Sequence, residues 1–135
     1  MSRMTQRAEG TVETVQWGEQ ALASMGEDTS RRVAHGSMRE VFRGDIDAEA
    51  INESLLAYTD EAHASFVGFE RVRGRLAERE GSFVLQITGL MQSGTGSATW
   101  RVVEGSATDG LRGLTGRGGY QWDGKTVRYT LDYDL

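Results

Sequence analysis

Two glutamates stand where apolar side chains are expected. Across residues 66–75, Phe66, Gly68, Glu70, Val72 and Gly74 share one parity, and Arg71, Arg73 and Arg75 share the other. In a strand, successive side chains alternate between faces, so Glu70 points with the apolar set. Glu40 stands the same way between Met38 and Phe42, against Arg39, Val41 and Arg43. A carboxylate on an apolar face must pair, take up a proton or meet trapped water. A carboxyl of raised pKa in a dry pocket suits general acid–base work, which makes Glu70 and Glu40 the candidate catalytic residues. The structural alternative is a glutamate bonded to Gln86, a tyrosine hydroxyl or an arginine inside a small barrel. A bulge at Gly68 would reverse the register and send Glu70 outside.

Other chemistries find less support. His35 and His63 are far apart and have no neighbouring ligand motif, so no metal site is expected. GLTGRGG at 113–119 matches neither phosphate-loop spacing, and its glycines are expected to bend a strand. The chain has no cysteine, which removes disulfide and thiolate chemistry. No cofactor is implied.

The elements that must hold the glutamates follow from composition and period. The chain has 135 residues, 38% hydrophobic and 26% charged, enough for one soluble domain. A net charge of -5 with mixed signs disfavours nucleic acid as a partner. No apolar run reaches membrane-spanning length and no signal-like core opens the chain, so no membrane partner and a cytoplasmic location are expected. Eighteen glycines and no proline favour short strands joined by turns.

Strands are read at 11–17, 36–44, 63–76, 82–91, 98–105 and 126–135, with a polar connection over 19–32. Val127, Tyr129, Leu131, Tyr133 and Leu135 give the cleanest alternation in the chain. The segment DIDAEAINESLLAY is helical by propensity, although its neighbours demand a strand. A short helical turn is expected near 106–112, capped by Ser106, with Leu111 and Leu114 plugging one barrel end; an irregular loop is the alternative. Turn-marked strands at this spacing indicate an all-β sandwich or barrel. The domain is expected to span 8–135 after a flexible 1–7.

Six ordered segments carry a resemblance: FRGDI at 42–46, ESLLAY at 53–58, ASFVGFERVRG at 64–74, GSFVLQITG at 81–89, WRVVEGSATDGLRGLTGRG at 100–118 and YTLDYDL at 129–135. Together they resemble the bacterial domain-of-unknown-function family three-two-two-four (DUF3224), over nearly the whole chain after about Arg7. The resemblance implies an allene-oxide-cyclase-like fold, a closed eight-stranded antiparallel barrel, and makes INESLLAY a strand. It also implies a lumen able to hold a small apolar molecule. Glu53, Tyr58, Glu70, Gln86 and Trp100 fall on the family's recurring positions. The family has His where this chain has Ile87 and Gln where it has Glu40, so no role of that histidine is carried over.

The expected function is binding of a small hydrophobic ligand in the lumen, with cofactor-independent isomerisation or cyclisation as the enzymatic outcome. The expected ligand-binding residues are Glu53, Tyr58, Gln86, Trp100, Tyr129 and Tyr133. A non-catalytic carrier or a structural oligomer is the alternative. Phe69 beside Val67 on an outward face hints at a subunit interface, as in a homodimer or homotrimer.

Overall fold

The structure, a computed structural model, describes residues 6–135. Eight strands follow one another: β1 (Gln6–Ala21), β2 (Val33–Gly44), β3 (Ile46–Asp60), β4 (His63–Leu76), β5 (Arg79–Gln92), β6 (Thr95–Val102), β7 (Thr115–Trp122) and β8 (Val127–Asp134). Each is antiparallel to the next, and β8 returns to β1, so the sheet closes into a single all-β barrel as expected. Among the described residues no helix is long and apolar enough to cross a membrane.

Residues 1–5 of the segment expected to be flexible lie outside the described residues. Gln6 and Arg7 instead open β1, opposite Tyr133 and Asp132. The Arg7 guanidinium grips the Asp132 carboxylate with two hydrogen bonds, at 2.6 and 2.9 Å. The segment with helical propensity is β3. Ile46, Ala48, Ala50, Asn52, Ser54 and Leu56 are buried while Asp47, Glu49, Glu53 and Leu55 are exposed, a period of two that barrel closure rewards over local preference.

Tight reversals hold the meander together. The β4–β5 turn places Ala77 and Glu78 at φ 53° and 63°, and the β5–β6 turn places Ser93 and Gly94 at 50° and 82°. Such left-handed pairs match the twist of the strands they join. In β7, a Cβ on Gly118 would lie 2.1 Å from the Thr130 carbonyl, and one on Gly119 2.1 Å from that of Ala98. These glycines let three strands approach closely, and they cradle no phosphate.

One end of the barrel, called here the base, is sealed. A single 3-10 turn at Asp109–Leu111 buries Leu111, and Leu114 follows it inside. Ser106 does not cap this turn; its hydroxyl accepts the Val84 N–H at 3.0 Å. Thr108 precedes the turn and ties it to β5 through the Ser82 N–H and hydroxyl, at 3.1 and 2.7 Å.

Above this plug the rings of Phe42, Trp100 and Tyr129 pack with centroids 5.2–6.3 Å apart. The Tyr129 hydroxyl accepts the Ile46 N–H at 2.9 Å and donates to the Arg43 carbonyl at 3.0 Å, pinning the β2–β3 turn across the barrel. Gly10 must lack a side chain for this, because a Cβ there would come within 2.6 Å of that hydroxyl. Tyr129→Phe leaves a buried N–H and a carbonyl without their partner. It should lower stability by about 1–3 kcal/mol in urea denaturation with the barrel retained; no loss would show that water replaces the phenol at no cost.

Candidate functional site

The pairing of β4 runs unbroken from His63 opposite Gln92 to Leu76 opposite Arg79, so no bulge forms at Gly68. Glu70 therefore points into the lumen, where it is 1% exposed. Glu40 enters the same space from β2 and is 9% exposed. Both expected acid–base candidates thus meet inside the barrel.

Their surroundings are built from residues that sequence reasoning did not single out. Asn52 on β3 stands opposite both Glu70 and Met38. The Ser54 hydroxyl donates to Asn52 Oδ1 at 2.6 Å, which orients the amide so that Nδ2 donates to Glu70 Oε1 at 3.5 Å. Gly68 makes room for Ser54, since a Cβ there would fall 2.3 Å from its hydroxyl. The Thr14 hydroxyl donates to Glu40 Oε2 at 3.2 Å. A bulge between Thr14 and Gln16 shifts the β1 register, so that Thr14 stands opposite Glu40 and Trp17 opposite Met38, both on the lumen side.

The electrostatics follow from this placement. Burial pushes the Glu70 carboxyl well above the ordinary carboxylate range, and the Glu40 carboxyl beside it pushes the same way; the Asn52 amide opposes both. Glu70 Oε2 has no hydrogen-bonding partner among the described residues. A proton on that oxygen, shared with Glu40, satisfies it and removes one of two like charges. Tyr120 on β7 completes the cluster. Its ring lies 5.6 Å from Trp100, and burial, with the Glu40 and Glu70 charges near it, raises its phenol pKa.

The approach to the pair is from the end opposite the plug. Strand β8 reaches β1 only as far as Val127 opposite Val12, so from Thr14 to Ala21 β1 pairs with β2 alone. Thr14 is consequently exposed although it faces inward, and Met38, Tyr58 and Tyr120 are half-buried. Trp17 lies over Gly36 beside Leu56 at this mouth. Tyr58 stands there too: its hydroxyl donates to Glu19 at 2.9 Å, and the Arg32 guanidinium lies 3.9 Å above its ring. Burial and the Glu19 hydrogen bond push this phenol up to about 12.

Of the expected ligand-binding residues, Trp100, Tyr129 and Tyr133 are buried inward and Tyr58 edges the mouth. Trp100 donates its indole N–H to the Thr130 carbonyl at 3.0 Å, so it offers a ligand its ring but not its donor. Glu53 and Gln86 do not reach the lumen. Glu53 stands opposite outward Phe69 and binds His35 and Ser37 at 2.7 and 3.0 Å; Gln86 accepts from Arg101 at 3.0 Å. Both occupy the outward parity of their strands. Ile87 points inward and is fully buried, making the lumen more apolar at that position.

A depression of about 840 Å³ crosses β4 to β8 and contains neither glutamate. It takes no residue from β1, β2 or β3, and its lining alternates outward Ser65, Val67, Thr88 and Leu90 with inward Phe66, Ala98, Tyr120 and Tyr129. On the outside, Leu55, Val67, Phe69 and Leu90 are each about half exposed on the adjoining faces of β3, β4 and β5. Among the described residues no three His, Cys, Asp or Glu side chains are grouped to hold a metal ion.

Comparison with known proteins agrees with this architecture. No curated protein matches the chain. A crystal structure of a protein with unknown function from the DUF3224 family of Shewanella oneidensis MR-1 is similar at a TM-score of 0.80 and 24% identity, covering 96% of each chain. At that identity the likeness shows the fold alone. The family described as "Protein of unknown function (DUF3224)" matches residues 8–133, and this chain belongs to it.

Proposed function

We propose that the barrel binds a small, largely apolar molecule in the upper lumen, with Glu70 as its polar anchor. The observation that carries this reading is the Glu70 carboxyl itself: 1% exposed, with an oxygen that meets no donor among the described residues other than a proton shared with Glu40. A buried polar atom left open in this way suits a partner that arrives with the ligand. The closed antiparallel barrel is also the architecture that the resemblance to allene-oxide-cyclase-like proteins implies.

The pair equips the site for cofactor-independent isomerisation or cyclisation of a neutral ligand. The protonated Glu70 carboxyl gives its proton to an alkene carbon or epoxide oxygen, and the Glu40 carboxylate takes one from a neighbouring carbon. Atoms and charge then balance without any further reagent. Apolar walls that hold one ligand conformation add an entropic contribution. Monoterpene alkenes and epoxides are suitable probes: binding should shift the Trp100 and Tyr120 NMR resonances, and gas chromatography of the recovered ligand reads conversion. Glu70→Gln should keep binding and lower conversion by about 10²–10⁴-fold. Ligand recovered unchanged from the native protein makes the barrel a carrier, and unshifted lumen resonances overturn binding.

The pH dependence of stability checks the protonated carboxyl independently. The folded state keeps the Glu70 proton that the unfolded chain releases above its ordinary pKa of 4.5. That stabilisation is complete below this value and is lost as pH rises toward the folded pKa. The stability of the native protein relative to Glu70→Gln should therefore fall by up to about 1.4 kcal/mol per pH unit above that point, measured by urea denaturation. Parallel curves would mean that Glu70 titrates as it does in the unfolded chain.

The outward apolar face supports a second property, self-association as a homodimer or homotrimer. Leu55, Val67, Phe69 and Leu90 form one patch across three strands, a larger exposed apolar cluster than scattered surface residues make. Light scattering should find an oligomer that Phe69→Glu converts to a monomer. A native protein that stays monomeric at high concentration would contradict this.

A further inference from the structure

The lumen is acidic, and no basic side chain among the described residues answers that charge. Glu40 and Glu70 face inward, while among the described residues every arginine and lysine except Arg32 is exposed. Arg32 is half-buried at the mouth and already engaged, with Glu19 at 3.4 Å, Glu61 at 3.7 Å and the Tyr58 ring. The strand parity that sends Glu70 inward sends Arg71, Arg73 and Arg75 outward, so no cation among the described residues is placed to meet the pair.

Glu70 supplies the second observation, independent of the acidic cluster. Its Oε2 lacks a donor although the side chain is almost wholly buried. The neighbouring polar groups are committed elsewhere: the Ser54 hydroxyl donates to Asn52, and the Thr14 hydroxyl donates to Glu40. The Tyr120 phenol lies within reach of both glutamate charges, its ring contacts Trp100, and Phe42 lies against Trp100 in turn. Open carboxylate acceptors beside aromatic faces are the chemistry that recognises an organic ammonium, through charged hydrogen bonds at the head and cation–π attraction around it. Two carboxyls are too few to cage a bare divalent ion, which takes six or more oxygens.

We infer that the upper lumen recognises a protonated primary amine carried on a small apolar or aromatic body, the ammonium lying between Glu40 and Glu70 with Trp100 and Tyr120 about it. This rests on the reading that the lumen takes a small molecule, and it specifies the head group. In the empty barrel one proton sits between the two carboxyls. The incoming R–NH3+ takes its place, that proton leaves to solvent, and both carboxylates then face one cation. For such a ligand the pair is an anchor and not an acid. The titratable and charged groups facing this space are Glu40, Glu70 and Tyr120, with Glu19, Arg32 and Tyr58 at the mouth.

Isothermal titration calorimetry with benzylamine and its neutral isostere benzyl alcohol tests this on the full chain, in two buffers of different ionisation enthalpy. Benzylamine should bind roughly tenfold to a hundredfold more tightly than the alcohol, the size expected for hydrogen bonds to a charged group. Its apparent enthalpy should change with buffer, reporting the released proton, and the alcohol's should not. Glu70→Gln and Glu40→Gln should each remove that preference and the proton release, with circular dichroism confirming the barrel. Equal binding of amine and alcohol without proton release overturns the ammonium site and leaves lumen binding standing. Binding of neither overturns both. Amine binding that persists when both glutamates are replaced places the cation elsewhere on the acidic surface and also overturns the proposal.

Discussion

Two carboxyls held inside one barrel cannot both carry charge unless a cation lies between them. Everything particular to this molecule follows from that constraint. Desolvation and mutual repulsion both favour the neutral form, so the pair retains a proton or acquires a positive partner. Among the described residues the walls offer no cation, because strand alternation turns their arginines outward. What remains is a buried carboxyl pushed toward its protonated form with a second carboxyl beside it, in surroundings that exclude most water.

The fold is arranged to keep that pair apart from the rest of the core. Below it, the Phe42, Trp100 and Tyr129 rings and the Leu111–Leu114 plug fill the barrel with apolar side chains, and the single Tyr129 phenol is fully engaged with backbone. Above it, β8 ends at Val127 and the upper half of β1 pairs with β2 only. A sealed base and an incomplete upper wall give the lumen one direction of access. The position of Thr14 on that upper wall explains how Glu40 keeps a trace of exposure while Glu70 has almost none.

Much of this was legible in the sequence because a strand's period of two is read directly from residue types. The inward parity of Glu40 and Glu70, the outward Phe69 and the aromatic face of β8 all come from alternation, and the Leu111 and Leu114 plug comes from the spacing of a short helical turn. Asn52 and Ser54 were hidden because their segment has helical propensity, and only closure of the sheet makes its alternation count. Thr14 was hidden by a bulge, which changes register without leaving a residue signature. Tyr120 follows a run of glycines in which parity cannot be followed by hydrophobicity. Glu53 and Gln86 show the opposite failure. They were placed by resemblance to a family pattern, and parity sends both outward, where they serve His35, Ser37 and Arg101.

Carbon-13 NMR of the Glu70 side-chain carboxyl, followed through a pH titration of the intact protein, tests the central claim most directly. A carboxyl buried beside a second one should keep its protonated chemical shift as pH passes 4.5 and change only well above it. A Glu70 carbon that titrates near 4.5, independently of Glu40, would show two charges coexisting in the lumen and would contradict the account.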